Sequence, residues 1–96
     1  MRFLYKERYI KRFDRFPTHE QQLILEADEH IRTFYITRRA SHGLRIKLLR
    51  ATGSERLFEA RASRAIRIVW GERDDDVSFL LVGLHDEVRN YLRSLR

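Results

Sequence analysis

The stretch Ser54-Glu-Arg-Leu-Phe-Glu-Ala-Arg-Ala-Ser-Arg-Ala-Ile-Arg-Ile-Val-Trp-Gly-Glu-Arg-Asp-Asp-Asp-Val-Ser-Phe-Leu-Leu-Val-Gly-Leu-His85 decides the fold. Turn signals at Ala62–Arg64 and Gly71–Asp76 divide it into three short strands, expected at Arg56–Ala62, Ala65–Trp70 and Val77–Val82. Arginines punctuate the first two (Arg56, Arg61, Arg64 and Arg67), while the third is nearly all apolar and reads as central and buried. The predicted product is a small antiparallel sheet with one basic face. The Glu72–Asp76 turn is acidic and reads as long and mobile.

Working back toward the N-terminus, Leu44–Arg50 alternates: Leu44, Ile46 and Leu48 lie to one side, Arg45 and Lys47 to the other, as in a half-buried strand. Thr52-Gly53-Ser54 is a hairpin turn, and Arg38–Gly43 a polar connection. Tyr9, Ile10, Phe13 and Phe16 follow helical spacing within Lys6–Phe16, and Pro17 should break that helix. Thr18 reads as the N-cap of a second helix, with Gln21 as its capping-box partner. That helix should run to about Thr37, burying Leu23, Ala27, Ile31 and Phe34 with Ile24 beside them. Glu20, Glu26, Asp28, Glu29 and Arg32 should face solvent. Met1–Tyr5 is either an edge strand or a lead into the first helix. Beyond the sheet, Val88, Tyr91, Leu92 and Leu95 mark a C-terminal helix over His85–Leu95. The fold class is α+β: a small antiparallel sheet of four to five strands, mixed at the N-terminal strand. It packs against an N-terminal helical hairpin with a short C-terminal helix, the helices on one face.

At 96 residues and 43% hydrophobic content, one domain spanning 1–96 with a single core is expected. The absence of cysteine excludes disulfides, thiolate metal sites and a cysteine nucleophile. No apolar run reaches the roughly 18–20 residues that span a bilayer, and the N-terminal Met-Arg-Phe-Leu-Tyr-Lys-Glu-Arg carries charge where a signal peptide needs an apolar core. A cytoplasmic location is therefore expected. Residues 38–73 hold ten Lys/Arg against three acids, a local +7 that exceeds the +6 of the whole chain. Such concentration points to a polyanionic partner, either nucleic acid or an acidic protein segment.

The element order, the Arg67-Ile68-Val69-Trp70 strand, the basic strand before it (Phe58-Glu59-Ala60-Arg61), the glycine-ended strand after it (Leu81-Val82-Gly83-Leu84-His85) and the Gly43-Leu44…Lys47-Leu48 segment together resemble the RelE/ParE toxin superfamily of toxin–antitoxin modules. The resemblance covers nearly the whole chain. It implies a toxin with one of two activities. RelE-like members cleave mRNA in the ribosomal A site; ParE-like members inhibit DNA gyrase. Either is neutralised by a cognate, acidic antitoxin expected to lie along the sheet edge near Arg61 and Arg67. A catalytically inactive member that only binds its antitoxin is a third possibility. No cofactor or metal is implied.

Cleavage of this kind needs a base for the ribose 2′-hydroxyl, cations to stabilise the charge developing on phosphorus, and an acid for the leaving oxygen. The resemblance places Arg67 at the family's catalytic arginine, and strand alternation turns it away from the core side taken by Ile66 and Ile68. Arginine suits the phosphate because its planar fork holds two oxygens and never loses charge. Arg61 lies near a position the family often fills with a basic residue. Glu59 is a candidate base, if not a salt-bridge partner of Arg61 or Arg67. His85, whose ordinary pKa near 6.5 suits proton transfer, is a candidate acid or base, if not a helix cap. Lys47, Arg45, Arg64 and Arg50 are candidate nucleic-acid contacts. After Gly83, active relatives carry an arginine and then, three residues on, a tyrosine; here Asp86 and Arg89 stand there, with Tyr91 two further on. Arg89 and Tyr91 are the candidate substitutes. Trp70, mid-sheet, reads as core rather than as a base-stacking platform. His19, His30, His42 and His85 have no metal-ligand spacing, and Ser41-His42 is a loop pair.

Overall fold

The computed structural model describes residues 1–39 and 44–95. The Ala40–Gly43 segment, with the Ser41-His42 pair and the glycine of the Gly43-Leu44 entry, lies outside the described residues. The order is β1 (Arg2–Tyr5), α1 (Glu7–Asp14), α2 (Thr18–Thr37), β2 (Lys47–Thr52), β3 (Glu55–Arg61), β4 (Ile66–Arg73), β5 (Asp76–Leu84) and α3 (His85–Ser94). The sheet runs β1-β5-β4-β3-β2, antiparallel except where β1 joins β5 in parallel, which makes Met1–Tyr5 an edge strand. β5 is therefore interior, as its near-continuous apolar run demands.

The helices do not share a face. Ile66, Ile68, Trp70, Val77, Phe79 and Val82 pack under α1 and α2, against Tyr9, Phe16, Ile24, Ala27, Ile31 and Tyr35. Val69, Leu57 and Leu81 point the other way, onto Val88, Tyr91 and Leu92 of α3. Ile68 and Val69 are adjacent strand residues, so α3 must lie on the opposite side of the sheet. The expectation of one helical layer fails because β4 and β5 are apolar on both faces.

The buried stripe of α2 is Ile24, Ala27, Ile31 and Tyr35, rotated from the predicted one; Leu23 and Phe34 are only half-buried. Tyr35 wins the inner position because its hydroxyl accepts the Trp70 indole N–H at 2.8 Å, giving the fully buried Trp70 its partner. Asp28, expected in solvent, is 5% exposed. The Tyr5 hydroxyl and Arg32 Nε both donate to its Oδ1, at 2.7 and 2.8 Å. Thr18 does not cap α2. The Pro17 carbonyl is the first acceptor, from the Gln21 N–H, and the Gln21 side chain donates instead to the Phe13 carbonyl, tying the two helices together.

Two strand limits also differ. Arg45 takes a left-handed φ of 52°, so pairing begins only at Lys47, and a bulge between Leu48 and Arg50 leaves Leu48 51% exposed on the edge strand. The acidic turn is short rather than mobile: Gly71, Glu72 and Arg73 all pair in β4, leaving Asp74 and Asp75 to turn, with Asp74 at φ 53°.

Candidate nucleic-acid interface

Register and alternation decide which side chains share the α3 face. Arg61 pairs directly with Arg67, Glu59 with both Val69 and Lys47, and Arg67 with Gly83. Val69 packs onto α3, so Lys47, Glu59, Arg61 and Arg67 all project from this same face. They form a patch of three cations and one acid beside the N-terminal end of α3. Arg56, one of the four punctuating arginines, pairs with Glu72 and shares the parity of Phe58, so it emerges on the other face. Arg64 is exposed in the turn between β3 and β4, where the Ser63 hydroxyl accepts the Ala65 and Ile66 N–H groups.

Two like charges directly opposite on neighbouring strands are unfavourable. Arg61 and Arg67 are so placed, yet neither joins an ion pair among the described residues, and neither does Glu59. The salt bridges that would have given these residues a purely structural role are not formed. Arg67 Nε is buried and has no hydrogen-bond partner among the described residues. A buried N–H left unpaired costs about 1–3 kcal/mol, and the three cations against one acid give this face a charge excess that an anion would offset.

His85 opens α3, one residue past the Ile66–Leu84 pair, and its Nε2 lies 3.0 Å from Arg89 Nη2. A guanidinium only donates, so Nε2 accepts and the ring proton sits on Nδ1. Both side chains are exposed. Tyr91 is not at this edge. It stands six residues further, about 9 Å along the helix, with the Arg8 guanidinium 5.3 Å above its ring, and burial pushes its phenol pKa up. Arg50 points toward the same far end, donating to the Leu95 carbonyl at 3.3 Å. Arg45 is exposed before β2 starts. The structure thus gathers Lys47, Glu59, Arg61 and Arg67, with His85 and Arg89 at the border, and separates Tyr91 and Arg50 from them.

The sequence reading missed one neighbour of this patch. Glu87 lies across Gly83: a Cβ built on that glycine would meet the Glu87 Cδ and Oε2 at 3.1 Å. Arg12 of α1 grips Glu87 with two bonds, Nη2 to Oε1 at 2.6 Å and Nε to Oε2 at 2.8 Å. Glu87 Oε1 also accepts the Leu84 N–H at 3.1 Å, so this residue caps its own helix. The guanidinium and the capping bond hold the Glu87 carboxyl below the usual carboxylate range. Glu at the third helical position after a strand was the available signal; its partner, 75 residues away, was not.

No protein-family model matches the sequence, and no curated protein does. Solved structures do. A chain of the archaeal RelE–RelB complex from Pyrococcus horikoshii superposes with a TM-score of 0.68 at 18% identity, over 86% of this chain and 92% of that one. The YoeB dimer structure from Staphylococcus aureus gives 0.66 at 9% identity, over 88% and 97%. The YoeB/ParE toxin from Agrobacterium tumefaciens gives 0.63 at 12%, over 88% and 99%. At such identities the likeness speaks to architecture: the chain shares the fold of these solved structures.

Proposed function

We propose that this chain is the toxin of a type II toxin–antitoxin module and a metal-independent, ribosome-dependent mRNA endoribonuclease. The observation that carries the reading is the opposed Arg61–Arg67 pair, held without a carboxylate partner among the described residues and with Arg67 Nε unsatisfied. A phosphodiester supplies the missing negative charge. Arg67 and Arg61 would hold its non-bridging oxygens, and Lys47 would add charge beside them. Glu59, directly opposite Lys47, is the candidate base for the 2′-hydroxyl. His85, whose Nε2 lies 3.0 Å from Arg89 Nη2, is the candidate for proton transfer at the leaving oxygen. The likeness to a structure solved as a RelE–RelB complex supports an antitoxin partner, and the charge of this face suits an acidic one.

Toeprinting on programmed ribosomes tests the reading. Wild-type protein should cut mRNA in the A site, and Arg67→Ala should slow cutting by about 10²-fold, the usual loss for one donor to a developing anion. Uncut mRNA with wild-type protein would sink it. The placement of Tyr91 under Arg8, away from the patch, favours a second reading, a ParE-like gyrase inhibitor that needs no such phenol. In that case mRNA stays intact while DNA supercoiling fails.

A further inference from the structure

Besides Glu59, one more acid lies within reach of Arg67: Glu87. Gly83 is the direct cross-strand partner of Arg67, and facing Cβ positions of such a pair lie about 4.5–5.5 Å apart. Glu87 packs against the position a Gly83 side chain would take, which puts its carboxylate within side-chain reach of Arg67 across the strand pair. Arg12 is the arginine that holds it. The Arg12 guanidinium makes both fork bonds to Glu87 while stacked 4.2 Å from the Phe16 ring centroid, which fixes its plane. Arg67 Nε is left without a partner among the described residues. The second Glu87 interaction, with the Leu84 N–H, survives small rotations of the carboxylate and does not by itself choose between the arginines.

We infer that Arg12 is a positioning residue for the phosphate site: by holding Glu87 on the α1 side it keeps that carboxylate off Arg67. The inference rests on the reading of Arg67 as a phosphate ligand. It makes Arg12, a residue of the first helix and off the basic face, a determinant of anion affinity. It also gives the glycine near the end of β5 a role: a Cβ at 83 would meet Glu87 at 3.1–3.2 Å and force that side chain to shift.

The test is a double-variant cycle read by fluorescence anisotropy with a short single-stranded RNA, alongside the Arg67 Nε–H resonance. Arg12→Gln frees Glu87 to pair with Arg67, so RNA binding should weaken roughly tenfold, the value of one charge-assisted contact, and the Nε–H signal should shift. Glu87→Gln alone should bind RNA at least as well as wild type. Arg12→Gln with Glu87→Gln should restore wild-type binding, although it lacks the same ion pair. That rescue separates the inference from a merely structural staple, under which the double variant would bind as poorly as Arg12→Gln. Unchanged binding in Arg12→Gln, or no rescue, overturns it while Arg67→Ala still weakens binding. If Arg67→Ala binds like wild type, the reading of the site itself has failed.

Discussion

Two partly buried carboxylates, Asp28 and Glu87, answer acid in opposite ways. Glu87 is held below its ordinary pKa by Arg12, so the folded state binds fewer protons than the unfolded one as pH falls. Its stabilisation is present above the unfolded pKa of about 4.3 and is lost as pH drops through the lower folded value. With side chains 25% and 37% exposed, the pair contributes about 1 kcal/mol after screening. For Asp28, burial outweighs the Tyr5 bond and the Arg32 charge, and the carboxyl is raised. Its ionisation therefore opposes folding, and that cost appears as pH rises from the unfolded pKa of about 3.9 through the folded one. Asp28→Asn keeps an acceptor for the Tyr5 hydroxyl and removes the charge. Urea unfolding at pH 7 should find it as stable as wild type or more so, whereas Glu87→Gln should be slightly less stable at pH 7, by a margin that shrinks as pH falls below about 4.3. If both variants lost stability equally at pH 7, this assignment of signs would be wrong.

At the scale of elements, α3 depends on a glycine two residues before it. Its apolar stripe packs on Val69, Leu57 and Leu81, its N-terminal end is capped by Glu87, and Arg50 bonds the Leu95 carbonyl past its far end. Gly83→Ala puts a methyl 3.1–3.2 Å from three Glu87 atoms. Glu87 is bonded on two sides and has little room to give, so the substitution should cost about 1–3 kcal/mol, the range for overpacking. Hydrogen exchange at Leu84 and along α3 should accelerate while β4 stays protected. Gly71→Ala, whose new methyl would meet nothing closer than the Leu80 side chain at 3.6 Å, should leave α3 exchange unchanged. The strand glycines look alike in sequence, and only the packing tells them apart. The same limit explains the other elements misread from sequence. Periodicity showed that β5 is interior and that α2 is amphipathic. It did not show that α2 turns Tyr35 inward to meet Trp70, nor that β4 uses Val69 to hold a second helical layer.

Across the whole molecule, the gathering of Lys47, Glu59, Arg61 and Arg67 was legible because strand alternation carries it directly: odd positions of β3 and β4 share a face once one register is known. The separation of Tyr91 was not, since it depends on the direction α3 takes across the sheet. Nor was the Arg12–Glu87 pair, which joins residues at opposite ends of the chain. The division of the arginines between the two faces gives a prediction for the full polyanion footprint. Binding to single-stranded RNA releases counterions, so log affinity falls with log salt by about 0.7 for each neutralised phosphate. Arg61→Ala and Arg67→Ala should each flatten that slope by about 0.7 and weaken binding uniformly across RNA sequences. Arg56→Ala removes the same charge from the same strand as Arg61, five residues away and on the α1 and α2 face, and should leave the slope unchanged. A nonspecific cloud of positive charge would instead make all three variants equivalent, because counterion release would then follow the number of cations and not their positions. Equal slopes for Arg56→Ala and Arg67→Ala would therefore remove the case for a faced site. Unequal slopes would place the RNA on the side where α3 begins.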